Sequence, residues 1–439
     1  MHASGLPFPP MKATTILLPI LAFASFGSPL LAQEDRTPIR ADDLREHITY
    51  LASDELQGRE SGKEGGHAAA NYFAKEWLRL GLEPLSVLPE GQEKPKTKDY
   101  LLPFQVRKLE CFNTAGLLPG TDPALADQIL VIGGHHDHAG IGGPGAMGFP
   151  GEIHNGADDN ASGSSGVAEL AEWFVANPIR RPILFMTFSA EERGLLGSKA
   201  FVEDGPIPTG SMYAMINCDM IGRSVNDYLY VGGLGTSEEF HPLLDEILKE
   251  SGMNIEMGDA GEAPSDNTSF YHGGVPSLFF FTHIHEDYHM PGDDASKINY
   301  DAEVRILELV RSCAHALDAR DHSLNFVTAP GMAMPADFNQ KMMTHMMAIG
   351  ERQRNRGKLG VTVENNGEVT GLRISRIRKA SAAETGGLHV NDYLLSIANI
   401  ALKSKDDLRR ALGGKIKGDV INVSYIRNGE KNSATITLK

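Results

Sequence analysis

At 439 residues, with 41% hydrophobic and 22% charged side chains, the chain is long enough for two or three domains and ordinary in apolar content. Its net charge of −16 excludes non-specific nucleic-acid binding, which needs a basic surface.

The N-terminus reads as a secretory signal. Lys12 precedes the apolar run 13–26, then Gly27, Ser28 and Pro29, and Leu30-Leu31-Ala32 stands before the polar Gln33-Glu34-Asp35. The run is too short for a span and carries Pro19, so cleavage is expected near Ala32 and no stable membrane span afterwards. Met11-Lys12 looks like a natural start. The localisation this implies is secreted or periplasmic. Cys111, Cys218 and Cys313 are too few for a disulfide framework, although one bridge is allowed.

Residues 41–320 alternate helical and strand-like patterns. Asp42 or Asp43 is expected to cap a helix carrying Leu44, Ile48 and Leu51. A second helix spans 66–80 and ends at Gly81. Short apolar runs at 129–132, 183–188, 213–216 and 277–281 read as strands, and Val167, Leu170, Ala171 and Phe174 mark a helix after Asn160. The fold class that follows is α/β, a mostly parallel central sheet flanked by helices. Such sheets bind ligands beyond the carboxyl ends of their strands.

Five metal-type side chains fall at or near those ends: His135, Asp159, Glu192, Asp219 and His289. Two imidazoles and three carboxylates suit zinc, and a shared carboxylate such as Asp159 allows two ions. Glu191 and Glu192 follow a buried strand, where neighbouring acids divide the tasks of ligand and base. Asp137, two residues after His135, is expected to hold its other ring nitrogen. The Gly-rich stretch between His135 and Asp159 reads as a loop over the cleft. His136, His138, His154, His283 and His285 are read as polar packing around the site. Cys218 is read as a small buried residue facing away from Asp219.

The motifs are His-x-Asp at 135–137, Gly-x-x-Asp-Asn-x-Ser-Gly at 156–163, Glu-Glu-x-Gly at 191–194, Asp-Met-Ile-Gly at 219–222 and Tyr-His-x-Pro at 288–291. In order and spacing they resemble the co-catalytic di-zinc aminopeptidases, the bacterial secreted group related to glutamate carboxypeptidase and glutaminyl cyclase. The stretch Leu51 to Gly62 also resembles the bacterial branch. The resemblance implies two zinc ions per chain. His135 and Asp219 would hold one, Glu192 and His289 the other, and Asp159 would bridge them. Glu191 would be the general base, Asp137 the orienter of His135, and Tyr288 a donor to the tetrahedral oxyanion. The implied reaction is hydrolysis of peptides with a free N-terminus. Two departures are His136, where an aromatic residue is common, and Asn267 in Ser265-Asp266-Asn267, where His is common.

Residues 321–350 read as a linker with a short helix, whose cluster Met342, Met343, Met346 and Met347 is expected to pack. Residues 351–439 carry five short β-like runs, an Asn428-Gly429 hairpin signal and a helix capped by Ser404. Lys358-Leu359-Gly360-Val361 with the 382–395 stretch resembles a PDZ domain, which implies a C-terminal peptide ligand. The competing functions are a glutaminyl cyclase, a carboxypeptidase or deacylase on the same scaffold, and a non-catalytic peptide-binding protein.

Overall fold

The computed structural model describes residues 38–86, 88, 92–143, 145–148, 151–364 and 371–439. The secretory leader expected over 1–32 lies outside them.

Eight strands form the first sheet: β1 (Leu101–Val106), β2 (Leu109–Leu118), β3 (Ile129–His135), β4 (Ile183–Phe188), β5 (Met212–Cys218), β6 (Tyr228–Gly232), β7 (Asn254–Met257) and β8 (Ser277–Phe281). Their order is β1-β2-β4-β3-β5-β8-β6-β7. The central run β4-β3-β5-β8 is parallel throughout, while β1/β2, β2/β4 and β8/β6 pair antiparallel. The seven helices packed with it are α1 (Ala41–Leu51), α2 (Glu64–Leu80), α3 (Gly163–Ala176), α4 (Leu196–Asp204), α5 (Phe240–Glu250), α6 (Asn267–His272) and α7 (Tyr300–Asp318).

Neighbouring strand residues serve opposite faces. Ile132, Phe185 and Ile216 pack with α1, α2, α3, α5 and α7, whereas Val131, Met186 and Met215 pack with Phe201 of α4 and Phe270 of α6. Burial on both faces is why these strands are continuous apolar runs rather than alternating ones.

Sequence pattern misses some ends. The first helix has Arg40 at its cap position without a side-chain hydrogen bond, and Asp42 and Asp43 lie inside its first turn, where they oppose the positive end of the dipole. β3 continues through Gly133 and Gly134 to His135. A Cβ at Gly133 would meet the Phe188 ring at 2.7 Å, so the glycine serves close packing rather than a turn. The three cysteines are free and buried.

After α7 the chain crosses to α8 (Phe338–Arg354), longer than the helix expected within 321–350. Met342 packs, but Met343, Met346 and Met347 are exposed, so packing is not their common role. The C-terminal unit contains β9 (Val361–Glu364), β10 (Leu372–Ile377), α9 (Ala382–Thr385), β11 (Tyr393–Ile397), β12 (Ile400–Ala401), α10 (Lys405–Ala411), β13 (Val420–Arg427) and β14 (Glu430–Thr437). Its sheet runs β14-β13-β11-β10-β9 with antiparallel pairing, and β12 pairs with β11. Asn428 and Gly429 both take positive φ at the β13–β14 turn, as a tight hairpin needs. Ser404 caps α10 by accepting the Asp407 N–H, and the Asp407 carboxylate accepts the Ser404 N–H in return. No helix among the described residues is long and apolar enough to cross a membrane.

Candidate metal centre

Four strand ends deliver the site. His135 closes β3, Glu191 and Glu192 follow β4, Asp219 follows β5, and Tyr288 and His289 lie in the loop after β8. Parallel neighbours end at the same edge, so residues far apart in sequence converge there.

Asp159 is held from three directions. Asp293 accepts the N–H groups of both Asp158 and Asp159 at 3.0 Å. Asn160 accepts from Gly163 and Met220 and donates to the Cys218 carbonyl. Asp158 accepts the Gly222 N–H at 2.7 Å. The Gly-Ala-Asp-Asp-Asn turn is thereby locked against the Asp-Met-Ile-Gly loop.

The result is two groups of donor atoms. His135, Glu191 and Asp219 form one, and His138, Asp159 and Glu192 the other, with the candidate ligand atoms of each group within 4.8 Å of one another. Asp159, a member of the second group, also reaches the first, its Oδ1 3.4 Å from His135 Nε2; its Oδ2 is 3.0 Å from Nε2 of His289, which stands outside both groups. His135 Nε2 also lies 3.3 Å from Asp219 Oδ1. Ser265 donates to the other Asp219 oxygen at 2.6 Å, and Asn217 donates to Ser265. Asn267, the departure noted in sequence, is buried and replaces none of these donors.

Two placements differ from expectation. His135 Nδ1 lies 3.1 Å from the backbone carbonyl of Asp137 and 3.8 Å from its carboxylate. The carboxylate is turned instead to Ser61 Oγ and the Glu191 N–H. The partners Ser61 and Glu191, rather than strand alternation, hold the carboxylate away from the ring. His138 stands in the second donor group, not among packing residues. Its signal in the sequence was a third imidazole within four residues of the strand end.

Three of the other histidines line up with packing. His136 is buried against Phe73 with Nδ1 2.9 Å from Thr187 Oγ1, and burial pushes it down to about 3, so a neutral ring fills the aromatic position. His283 stacks on Phe281 and Phe338, and His285 sits against Asp158. Cys218 packs in the core with α3 and α7, away from the donors.

Electrostatics separate the carboxylates. Burial first, opposed by His135 and reinforced by Glu192 and Asp219, holds Glu191 well above the usual range. Burial would also raise Asp159, but His138, His135 and His289 outweigh it and hold that carboxylate well below.

A cavity of about 200 Å³ opens onto the donors. Met220, Phe279, Phe281 and Ile284 line its apolar side together with Met334 and Phe338, two residues that sequence reading left in the linker. Tyr288 also lines it, its ring 3.9 Å from that of His289 between centroids. Gly145 accepts from His289 Nδ1 at 2.8 Å and lies so near Glu192 that an added Cβ would stand 2.5 Å from its Oε2. Only glycine fits there.

The donor set fits zinc, and buried atoms argue for an ion. His138 Nδ1 and Glu192 Oε1 are buried without a hydrogen-bond partner, a costly state that a cation relieves.

Residues 113–314 match the model of Peptidase family M28. Residues 357–438 match that of the PDZ domain. The chain is 28% identical over 226 residues to leucine aminopeptidase 1 of Trichoderma harzianum, covering 47% of this chain and 56% of that protein. A probable glutamate carboxypeptidase of Arthroderma benhamiae is 30% identical over 192 residues, covering 38% and 23%. The chain thus spans about half the length, or less, of the curated relatives it matches. Among solved structures, a zinc aminopeptidase from Bacillus subtilis aligns with a TM-score of 0.51 at 18% identity, covering 67% of this chain and 100% of that one. A Porphyromonas gingivalis glutaminyl cyclase aligns with a TM-score of 0.50 at 16% identity, covering 63% and 98%. Both likenesses are of fold. The mostly parallel central sheet with flanking helices agrees with them, and the separate antiparallel C-terminal sheet fits the PDZ match.

Proposed function

We propose that this chain is a secreted exopeptidase with two zinc ions, removing N-terminal residues from peptides. One observation carries the choice of an amine-directed enzyme. Asp159, Glu191, Glu192 and Asp219 line the cavity, and no Lys or Arg does so among the described residues. A free α-amine finds carboxylate partners there. A substrate's terminal carboxylate finds no protein cation, which disfavours a carboxypeptidase.

His135 and Asp219 would hold one ion, Glu192 and His289 the other, and Asp159 would span them with its two oxygens. When bound, the ions supply Lewis acidity toward water and the scissile carbonyl. Glu191 lies 3.9 Å from His135 Nε2 and would take the proton of the attacking water, then pass it to the leaving amine. Tyr288 would donate to the oxyanion. The apolar side of the cavity would receive the substrate's first side chain, which favours large apolar residues. The PDZ-like domain would bind peptide C-termini near Leu359 to Val361. The leader at 1–32 would direct export.

The test is a matched panel of free and N-acetylated aminoacyl substrates, with metal analysis and mass measurement on Gln-peptides. The expected result is hydrolysis of the free-amine set alone and two zinc ions per chain. Ammonia loss from Gln-peptides without hydrolysis would establish the cyclase instead. N-terminal sequencing of exported protein checks the leader.

A further inference from the structure

His138 is an imidazole beside the Asp159 and Glu192 carboxylates to which neither the motif reading nor the proposed reaction gives a task. It follows His135 by three residues, past the end of β3. Both of its ring nitrogens are buried and without a hydrogen-bond partner. Its Nδ1 lies 2.8 Å from Glu192 Oε1 and 3.8 Å from Asp159 Oδ2. The first distance is that of a hydrogen bond, yet the angles of one are not met, and Glu192 Oε1 has no partner either. Two candidate ligand atoms this close, both without a satisfied hydrogen bond, suit a shared cation.

The spacing agrees with such a cation. Donors about 2.1 Å from a tetrahedral zinc stand roughly 3.4 Å apart. The contacts of His138 with the two carboxylates straddle that value, as do those of His289 with the same pair, 3.0 Å to Asp159 and 3.5 Å to Glu192. The two imidazoles divide the Glu192 carboxylate, His138 on Oε1 and His289 on Oε2, and their rings meet edge to face at 5.7 Å. The ring of His138 is also fixed in place: a Cβ on Gly156 would stand 2.5 Å from it. A buried, immobile, partnerless imidazole against two carboxylates is a poor use of a histidine in packing and a good one in metal ligation.

We propose that His138 is a protein ligand of the second ion, through Nδ1, together with Asp159 and Glu192. The inference rests on the two-ion reading and deepens it. It gives that ion one more imidazole than the five-residue set provides. The chain would then bind its ions through three imidazoles, His135, His138 and His289.

The test is nuclear magnetic resonance on the full chain labelled with ¹⁵N-histidine and loaded with ¹¹³Cd. Scalar coupling to cadmium at three histidines, His138 Nδ1 among them, is expected. Coupling at His135 and His289 alone would overturn the proposal. The variant His138→Phe keeps the ring's volume and removes the donor. Equilibrium titration should show its second ion bound at least 100-fold more weakly and its first unchanged; two ions held as tightly as in the wild type would also overturn it. Should the wild type hold only one cadmium, the two-ion reading fails separately. His138 is then judged by whether its nitrogen couples to that single ion.

Discussion

The backbone N–H of Glu191 donates to Oδ1 of Asp137 at 3.2 Å, which ties the turn after β4 to the end of β3. The Asp137 side chain is fully buried and also accepts from Ser61. On the proposed mechanism, its carboxylate therefore sets where the general base stands rather than which way the His135 ring turns. Asp137→Ala should lower kcat by about 10- to 100-fold at saturating zinc, with KM little changed and ion content retained. Zinc loss in step with activity would return Asp137 to the role of orienting His135.

Removing the base alone should separate chemistry from binding. Glu191→Gln is expected to keep both ions and lose about 10²- to 10⁴-fold in turnover. Metal analysis beside steady-state kinetics decides it; unchanged turnover would remove Glu191 from the mechanism.

Phe338 begins α8, outside the M28-like segment, yet it lines the cavity beside Phe281. On the proposed function, Phe338→Ala should reduce any preference for leucyl over alanyl substrates by about 10-fold, because an opened apolar wall discriminates one side chain less. An equal fall for both substrates would mean that the residue only supports the fold.

Arg59 is fully buried and donates to the carbonyls of Leu51, His136, Asn155 and Gly156. Burial lowers it to about 10, opposed by Asp159 and Asp293, so it stays charged at neutral pH. Arg59→Met leaves four carbonyls without a donor and should cost about 3 kcal/mol or more in a denaturant titration. A loss below about 1 kcal/mol would show that water replaces the guanidinium.

His241 lies between Asp245 and Asp259, 2.8 Å from each. The Asp245 hydrogen bond chiefly raises it above 6.5, against burial and with help from Asp259. A raised imidazole stabilises the fold fully below its unfolded value and ceases to do so as pH rises through its folded value. The Tm deficit of His241→Gln should therefore be largest below about pH 5.5 and shrink as pH rises through the imidazole's folded value. A deficit independent of pH would assign it to packing.

Much was legible without coordinates because the cues are local. Two-face burial made Ile183 to Phe188 a continuous apolar run, and Ser404 announced a capped helix. Strand ends are less local. β3 runs on to His135 because β4 pairs with it that far, and β5 as far as Gly133, which no propensity of Gly133 or Gly134 reveals. β14 begins at Glu430, ahead of its apolar residues, because β13 offers it a full ladder.

Composition, order and spacing determined by themselves that imidazoles and carboxylates gather at the carboxyl edge of one sheet, since strand ends carry such residues wherever the chain alternates. Three things were decided only in three dimensions. Asp137 turns its carboxylate to Glu191, His138 turns inward to Glu192, and Met334 and Phe338 return from the linker to wall the cavity. Which way a side chain points past a strand end, and which distant segment covers it, depends on packing between elements; the linear pattern records only the alternation within each one.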